Sequence, residues 1–170
     1  GCIALWDDSA TFNDDTFSED GSVVFSRKSA AANSGVIIDR YVNYEKDEHY
    51  IVSFKMRVTS GTVNSFYLWN GKGHTNNSVY VDGIKSGTLH ADVSFPTDDQ
   101  YHQITAYFTA TGTTSTEASD IDINHHLILQ PIKGTAATYT VQLLNFKIEK
   151  GNKATDWTPA PEDLQTAILS

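Results

Sequence analysis

The chain has 170 residues, with 12 Lys and Arg against 21 Asp and Glu, and its net charge at pH 7 is -9. This charge argues against nucleic acid as a partner, because phosphate binding needs clustered cations, and it argues equally against an anionic membrane surface. Hydrophobic residues make up 39% and charged residues 19%, which is typical of a globular domain, and the length suits a single hydrophobic core.

Short stretches in which apolar and polar residues alternate follow one another along the chain. The clearest is 49–60, where Tyr50 and Phe54 share one face while Lys55 and Arg57 share the other. The same criterion predicts further strands at residues 22–26, 36–41, 63–69, 78–82, 88–95, 100–110, 121–131 and 138–149. Nine or ten short strands without a convincing amphipathic helix predict an all-β fold, an antiparallel β-sandwich of the jelly-roll type.

The last predicted strand changes its apolar register near Leu143 and Leu144, which predicts a β-bulge there. Beyond residue 151 the alternation ends. We therefore expect residues 1–151 to form the module and residues 152–170 to form an extended strap that leads to a following domain. Trp157 is expected to anchor this strap against the module.

The only cysteine is Cys2, so an intramolecular disulfide is excluded. No apolar run reaches the roughly 20 residues that span a bilayer, and the start of the sequence lacks the pattern of an export signal. Gly1-Cys2 could mark a lipoprotein cleavage site, but a domain boundary is the favoured interpretation.

Residues 146–163, FKIEKGNKATDWTPAPED, closely resemble the end of carbohydrate-binding modules in tail and baseplate proteins of phages that infect Gram-positive bacteria. Residues 50–57, YIVSFKMR, resemble the strand with which jelly-roll sugar-binding modules of glycoside hydrolases cross their concave sheet. The resemblance implies a module of a distal tail protein, a tail-associated lysin or a receptor-binding protein. Its partners would be bacterial surface polysaccharide or teichoic acid and the rest of the phage tail protein, and its place would be the tail tip or baseplate of the virion.

The resemblance also bears on calcium. Related jelly rolls often carry Asp-Asn-Val-Lys-Leu-Glu near their end, and the aspartate commonly helps to hold a structural calcium ion. This chain has Leu144 at that position, so we expect no cofactor and do not favour a calcium site of this kind. Hard oxygen ligands occur elsewhere, in an acidic group that comprises Asp7, Asp8, Asp14, Asp15, Glu19 and Asp20.

Saccharide recognition requires an aromatic platform beside side chains that form hydrogen bonds. If Phe66 and Leu68 point into the core, alternation places Tyr67 and Trp69 on the opposite face. The alternative is that this parity is reversed and Trp69 is buried.

Other predicted strands extend this proposed face. Ile104 and Phe108 suit the core, which leaves Gln103 and Tyr107 outside. A basic pair in an acidic domain could hold phosphate or uronate groups, or could equally belong to a solvated face with cross-strand ion pairs. His126 lies on this face if Leu127 points into the core, and Tyr80 lies at its rim. The candidate saccharide-binding residues are therefore Tyr67, Trp69, Tyr107, Gln103, Lys55, Arg57, His126 and Tyr80.

The sequence offers little support for catalysis or for zinc. His125 and His126 would point to opposite faces of one strand, and the remaining histidines lack partners at ligand spacing. No motif singles out a pair of carboxylates for glycoside hydrolysis, and no G-x-S-x-G motif occurs. Three classes of function remain, in this order: a saccharide-binding module, a structural spacer or oligomerisation domain of a phage tail, and a glycan-degrading tail enzyme.

Overall fold

The computed structural model describes residues 4–5, 10–17, 23–27, 36–39, 44–69, 74–111, 127–132 and 138–151. Strap residues 152–170, with Trp157, and the site candidate His126 lie outside this part of the chain. The described residues form β-strands joined by turns, and every strand pair is antiparallel. Among these residues no helix is long and apolar enough to cross a membrane.

Twelve strands are found within the described ranges. In chain order they are β1 (Ala4–Leu5), β2 (Ala10–Phe17), β3 (Val23–Arg27), β4 (Val36–Asp39), β5 (His49–Ser60), β6 (Ser65–Trp69), β7 (His74–Val81), β8 (Ile84–Gly87), β9 (Val93–Ser94), β10 (His102–Ala110), β11 (Leu127–Pro131) and β12 (Tyr139–Lys150). They form a five-stranded sheet in the order β1-β4-β11-β6-β9 and a seven-stranded sheet in the order β2-β3-β12-β5-β10-β7-β8. The sequence pattern predicted nine or ten strands.

Strand β5 lies at the centre of the larger sheet, between β12 and β10. Its alternating burial follows its sequence, because Phe54 and Met56 are fully buried while Lys55 and Arg57 are partly exposed. This is the period of two that an extended strand requires when one of its faces covers a core.

One hydrophobic core joins the two sheets. The larger sheet contributes the largest rings, including Phe54 and Phe108, and the smaller sheet contributes Phe66, Leu68 and Leu129. Side chains of the opposite parity on each sheet point away from this core. The outer faces of the two sheets therefore lie on opposite sides of the molecule's core.

The predicted bulge in the last strand is present in β12. The register against β5 shifts between Leu144 and Lys147, and Asn145 has a φ of 59°. Leu143 is buried before the bulge, and Phe146 packs against the core after it. One extra residue thus keeps apolar side chains on the core side along the whole of a twelve-residue strand.

One predicted strand is mostly wrong. Of residues 88–95, only β9 is a strand, and Leu89 and His90 form a turn. The turn is held by the amide of Leu89, which donates to Asn77 Oδ1 at 2.7 Å, and by the amide of His90, which donates to the carbonyl oxygen of Leu68 at 2.9 Å. His90 itself has a φ of 59°, which ends an extended run.

Candidate functional site

The outer face of the seven-stranded sheet carries polar and aromatic side chains on its central strands. On β10 the outward residues are Gln103, Thr105 and Tyr107, all partly exposed, and they alternate with the buried Ile104, Ala106 and Phe108. The register pairs Gln103 with Lys55 and Thr105 with Ser53 of β5. Two adjacent strands therefore present amide, hydroxyl and ammonium groups on one surface.

Tyr80 and Tyr107 form an aromatic pair on this face. Their ring centroids are 5.5 Å apart and the planes make an angle of 83°, which is the edge-to-face arrangement that aromatic quadrupoles favour. The pair is diagonal across two strands, because Tyr80 is opposite Thr105 and Ser78 is opposite Tyr107. The sheet thus places two rings from separate strands beside one another.

Ile51 gives this part of the face an apolar floor. It is opposite Tyr107 on one side and Glu149 on the other, so it shares their outward parity. Nevertheless its exposure is 0%, and it does not belong to the core cluster between the sheets. Because Ile51 is completely covered, it offers no surface to a ligand and instead packs beneath the outer side chains of this face.

Gln103 is held in place by the backbone. Its Nε2 donates to the carbonyl oxygens of Phe54 at 3.1 Å and Ile104 at 3.2 Å. These bonds use the donor end of the amide, and in the described part of the chain the acceptor end carries no hydrogen bond. A ligand hydroxyl could therefore donate to Gln103 Oε1 without displacing an existing partner.

Arg57 and Lys55, the basic pair of the sequence analysis, differ in their partners. The Nε of Arg57 lies 3.1 Å from Asp99 Oδ1, and its guanidinium lies 5.8 Å from the ring centroid of Tyr101. The hydroxyl of Tyr101 in turn donates to Gln142 Oε1 at 3.2 Å. Arg57 is thus neutralised at one end of the face, whereas Lys55 stands between Gln103 and Leu144 with no ion pair among the described residues.

His102 joins two loops at the same end of the sheet. Its Nδ1 lies 2.6 Å from Asp82 Oδ2 and its Nε2 lies 2.8 Å from Asp98 Oδ1. Burial lowers the pKa of His102, but its hydrogen bonds to the two carboxylates and their charges outweigh burial and raise the pKa above 6.5. The pKa values of both carboxyl groups are lowered.

The pKa of Asp98 is lowered mainly by its hydrogen bond with His102. Burial raises the pKa of Asp82, but the bonds from His102 and from the amide of Gln103 reverse that effect. We infer a charged clamp that fixes the rim of the face.

A second aromatic group lies on the other sheet. Tyr67 and Trp69 of β6 are partly exposed, while Phe66 and Leu68 are fully buried, so the two rings point away from the core. His90 lies beside both, with its ring centroid 6.2 Å from that of Tyr67 and 6.0 Å from that of Trp69. The plane of each of these two rings lies within 21° of the His90 plane, so the three rings form an aromatic row.

The predicted site residues therefore divide between two faces, which corrects the single face that the sequence analysis expected. Tyr67 and Trp69 belong to the five-stranded sheet. The seven-stranded sheet carries the remaining described candidates, which are Tyr107, Gln103, Lys55, Arg57 and Tyr80. Alternation predicts which face of a strand points outward, but it does not predict the sheet to which the strand belongs.

Three residues that contribute to these surfaces were not among the sequence candidates. His90 lies in a turn that was predicted as a strand, and Lys85 lies on β8, which was not predicted. Asp82 was the last residue of the predicted strand 78–82, and positive φ values at Asp82 and Gly83 place it in the turn that follows β7. The pair Asp82-Gly83, which is typical of two-residue hairpin turns, was the one signal that could have indicated β8.

The described residues do not gather three or more His, Cys, Asp or Glu side chains into a possible metal site. Leu144 lies opposite Lys55 on the outer face, where its side chain offers no oxygen. The acidic group of residues 7–20 lies outside the side chains that the structure describes.

No protein-family model and no curated protein matches the sequence. Among solved structures, the chain is similar to the N-terminal cellulose-binding domain of β-1,4-glucanase C from Cellulomonas fimi, with a TM-score of 0.45 and 14% identity over 78% of this chain and 80% of that one. It is also similar to the tripod of the baseplate of bacteriophage Tuc2009, with a TM-score of 0.49 and 16% identity over 86% of this chain and 52% of that one. The chain thus spans about half of the baseplate protein's length. At these identities the likeness concerns the fold alone.

Proposed function

We propose that the chain is a non-catalytic saccharide-binding domain and that its site is the outer face of the seven-stranded sheet around Tyr80 and Tyr107. The observation that carries this proposal is the combination on one face of a partly exposed, edge-to-face tyrosine pair and the polar side chains of Gln103, Thr105 and Lys55. A sugar ring has an apolar carbon–hydrogen face and a rim of hydroxyls, so it needs both kinds of group together.

The wider role that we propose is adhesion of a phage to its host. The support is the resemblance of residues 146–163 to the ends of carbohydrate-binding modules in phage tail proteins. On this proposal the domain is a jelly roll at the tail tip or baseplate, and it contacts bacterial wall polysaccharide. Several copies in one tail would compensate for the weak affinity of an open sheet face.

The glycan-degrading alternative has less support on this face. A general acid in a glycosidase needs a raised pKa. Asp82 and Asp98 at the end of the sheet both have a pKa that is shifted downward. They are also engaged by His102 at 2.6 and 2.8 Å, which makes them structural partners rather than proton donors.

The test uses a fluorescent fusion of the chain, which is assayed for labelling of bacterial cells and for competition by purified wall polysaccharide. We expect Tyr107→Ala to lower the affinity by about 5- to 30-fold, because loss of a stacking ring costs roughly 1–2 kcal/mol. Tyr67→Ala is the matched control, since it removes a partly exposed tyrosine from the opposite sheet.

Retention of labelling by Tyr107→Ala together with its loss in Tyr67→Ala would contradict the proposed site. That result would instead favour the aromatic row of Tyr67, His90 and Trp69. If labelling is absent for the wild type and its fusion forms stable oligomers, the spacer interpretation is favoured. Circular dichroism of each variant checks that the fold is retained.

A further inference from the structure

The positive charges of this acidic chain are concentrated on the proposed face. Six Lys and Arg side chains are described by the structure, and four of them belong to strands of the seven-stranded sheet on its outer face: Lys55, Arg57, Lys85 and Lys147. The remaining two are Lys46, in the turn before β5, and Lys150, at the end of β12. The chain as a whole carries a net charge of -9, so this face departs from its average.

Two of the four cations form ion pairs with acidic side chains of the chain. Arg57 pairs with Asp99 at 3.1 Å, and Lys147 pairs with Glu149 at 3.4 Å. Lys55 and Lys85 make no ion pair or side-chain hydrogen bond with the other described residues. The face therefore has two cations whose ammonium groups are available to a ligand.

These two lysines flank the tyrosine pair. Lys85 of β8 is opposite Tyr80. Lys55 of β5 is two residues along the strand from Ser53, which is opposite Thr105. Strands β10 and β7 lie between them, and neighbouring strands are about 4.8 Å apart, so the two lysine positions are separated by roughly 14 Å across the sheet. Lys55 and Tyr107 lie on opposite sides of the row formed by Thr105 and Tyr80. A glycan that follows this row from Lys85 would therefore have the Tyr107 ring on one side and the Lys55 ammonium on the other.

We propose that the ligand is an acidic glycan whose carboxylate or phosphate groups are bound by Lys55 and Lys85 while its sugar rings contact Tyr80 and Tyr107. This inference rests on the proposed function and adds the chemical class of the ligand. The lysine ammonium acts as a point charge with three donors, so it accepts either kind of acid group. Charge complementarity on this face also prevents the net negative charge of the chain from repelling such a polymer.

The experiment uses wall polysaccharide from a strain that the chain labels, in three forms. One is untreated, one has its carboxylates reduced to alcohols, and one has its phosphate esters cleaved with hydrofluoric acid. We expect the intact 170-residue chain to bind one of the treated forms more weakly than the untreated polymer. The form that binds weakly identifies which acid group is recognised.

The variants locate the effect. The double variant Lys55→Gln with Lys85→Gln should lose roughly five- to tenfold in affinity for the untreated polymer, because partly exposed ion pairs each contribute a modest amount. It should bind the weakly bound treated form as well as the wild type does. The double variant Lys46→Gln with Lys150→Gln removes an equal charge from positions outside the face and should have no effect.

Equal binding of all three forms by the wild type would overturn this inference and leave the proposed function intact, because the ligand would then be a neutral saccharide. Equal losses for the two double variants would also overturn it, since the effect would then follow net charge. Absence of binding to every form would count against the proposed function itself.

Discussion

The surroundings of Tyr107 are determined by its neighbours along β10 and by its partners on the two adjacent strands. Its neighbours along β10, Ala106 and Phe108, are buried in the core, so its own ring points outward. Pairing with Ile51 on one side and Ser78 on the other then supplies an apolar floor and a hydroxyl group. The neighbours along the strand were predictable from alternation. Those on adjacent strands depend on a register that links Tyr107 to residues 56 and 29 positions away in the chain.

His102 carries a prediction about pH. Because its pKa is raised from 6.5, its contribution to stability is complete below about pH 6.5 and is lost as the pH rises through the raised pKa. The pKa of Asp82 and Asp98 is lowered from 3.8, so their contribution is present above about pH 3.8 and is lost as the pH falls. We expect the difference in melting temperature between the wild type and His102→Gln to be largest between these limits.

The measurement is a series of thermal melts from acidic to alkaline pH. The control is the same substitution in a chain that also carries Asp82→Asn and Asp98→Asn, where the difference should lose its dependence on pH. A difference that stays constant over the whole range in the wild-type background would contradict the clamp and would assign His102 a packing role against Phe95, whose ring centroid is 5.4 Å away.

Among the elements, β5 and β12 were the most predictable. The range 49–60 agrees with β5 residue for residue, and the bulge expected near Leu143 and Leu144 is found at Asn145. Both strands have one face on the core, so their apolar alternation is strong. The strand predicted at residues 88–95 was mostly wrong, because the buried, apolar Leu89 belongs to a turn and not to a strand.

The bulge in β12 can be tested through Asn145, whose φ is 59°. Asn and Gly tolerate this left-handed conformation, whereas a β-branched residue does not. We expect Asn145→Val to lower the free energy of unfolding by about 1–2 kcal/mol and Asn145→Gly to change it much less. Urea denaturation monitored by Trp fluorescence measures both values. Equal losses in the two variants would show that the side-chain contacts of Asn145, and not its backbone, are what matters.

For the molecule as a whole, composition and alternation predicted an all-β fold with antiparallel sheets, and this is confirmed. The division of the strands between two sheets was not predictable, because the β-strands of either sheet show the same alternation. Tyr67 and Tyr107 therefore looked equivalent in the sequence, although β6 and β10 belong to different sheets. The net charge of -9 also concealed the cations on one face, since a sum over the chain carries no spatial information.

The central claim is that the outer face of the seven-stranded sheet binds saccharide. Its most direct test is an NMR titration of the isotope-labelled chain with oligosaccharides released from the wall of a strain that the chain labels. We predict that the backbone amide shifts of Gln103, Thr105 and Tyr107 change with ligand concentration while those of Tyr67 and Trp69 stay constant. Changes confined to Tyr67, Trp69 and His90 would contradict the claim and would move the site to the five-stranded sheet.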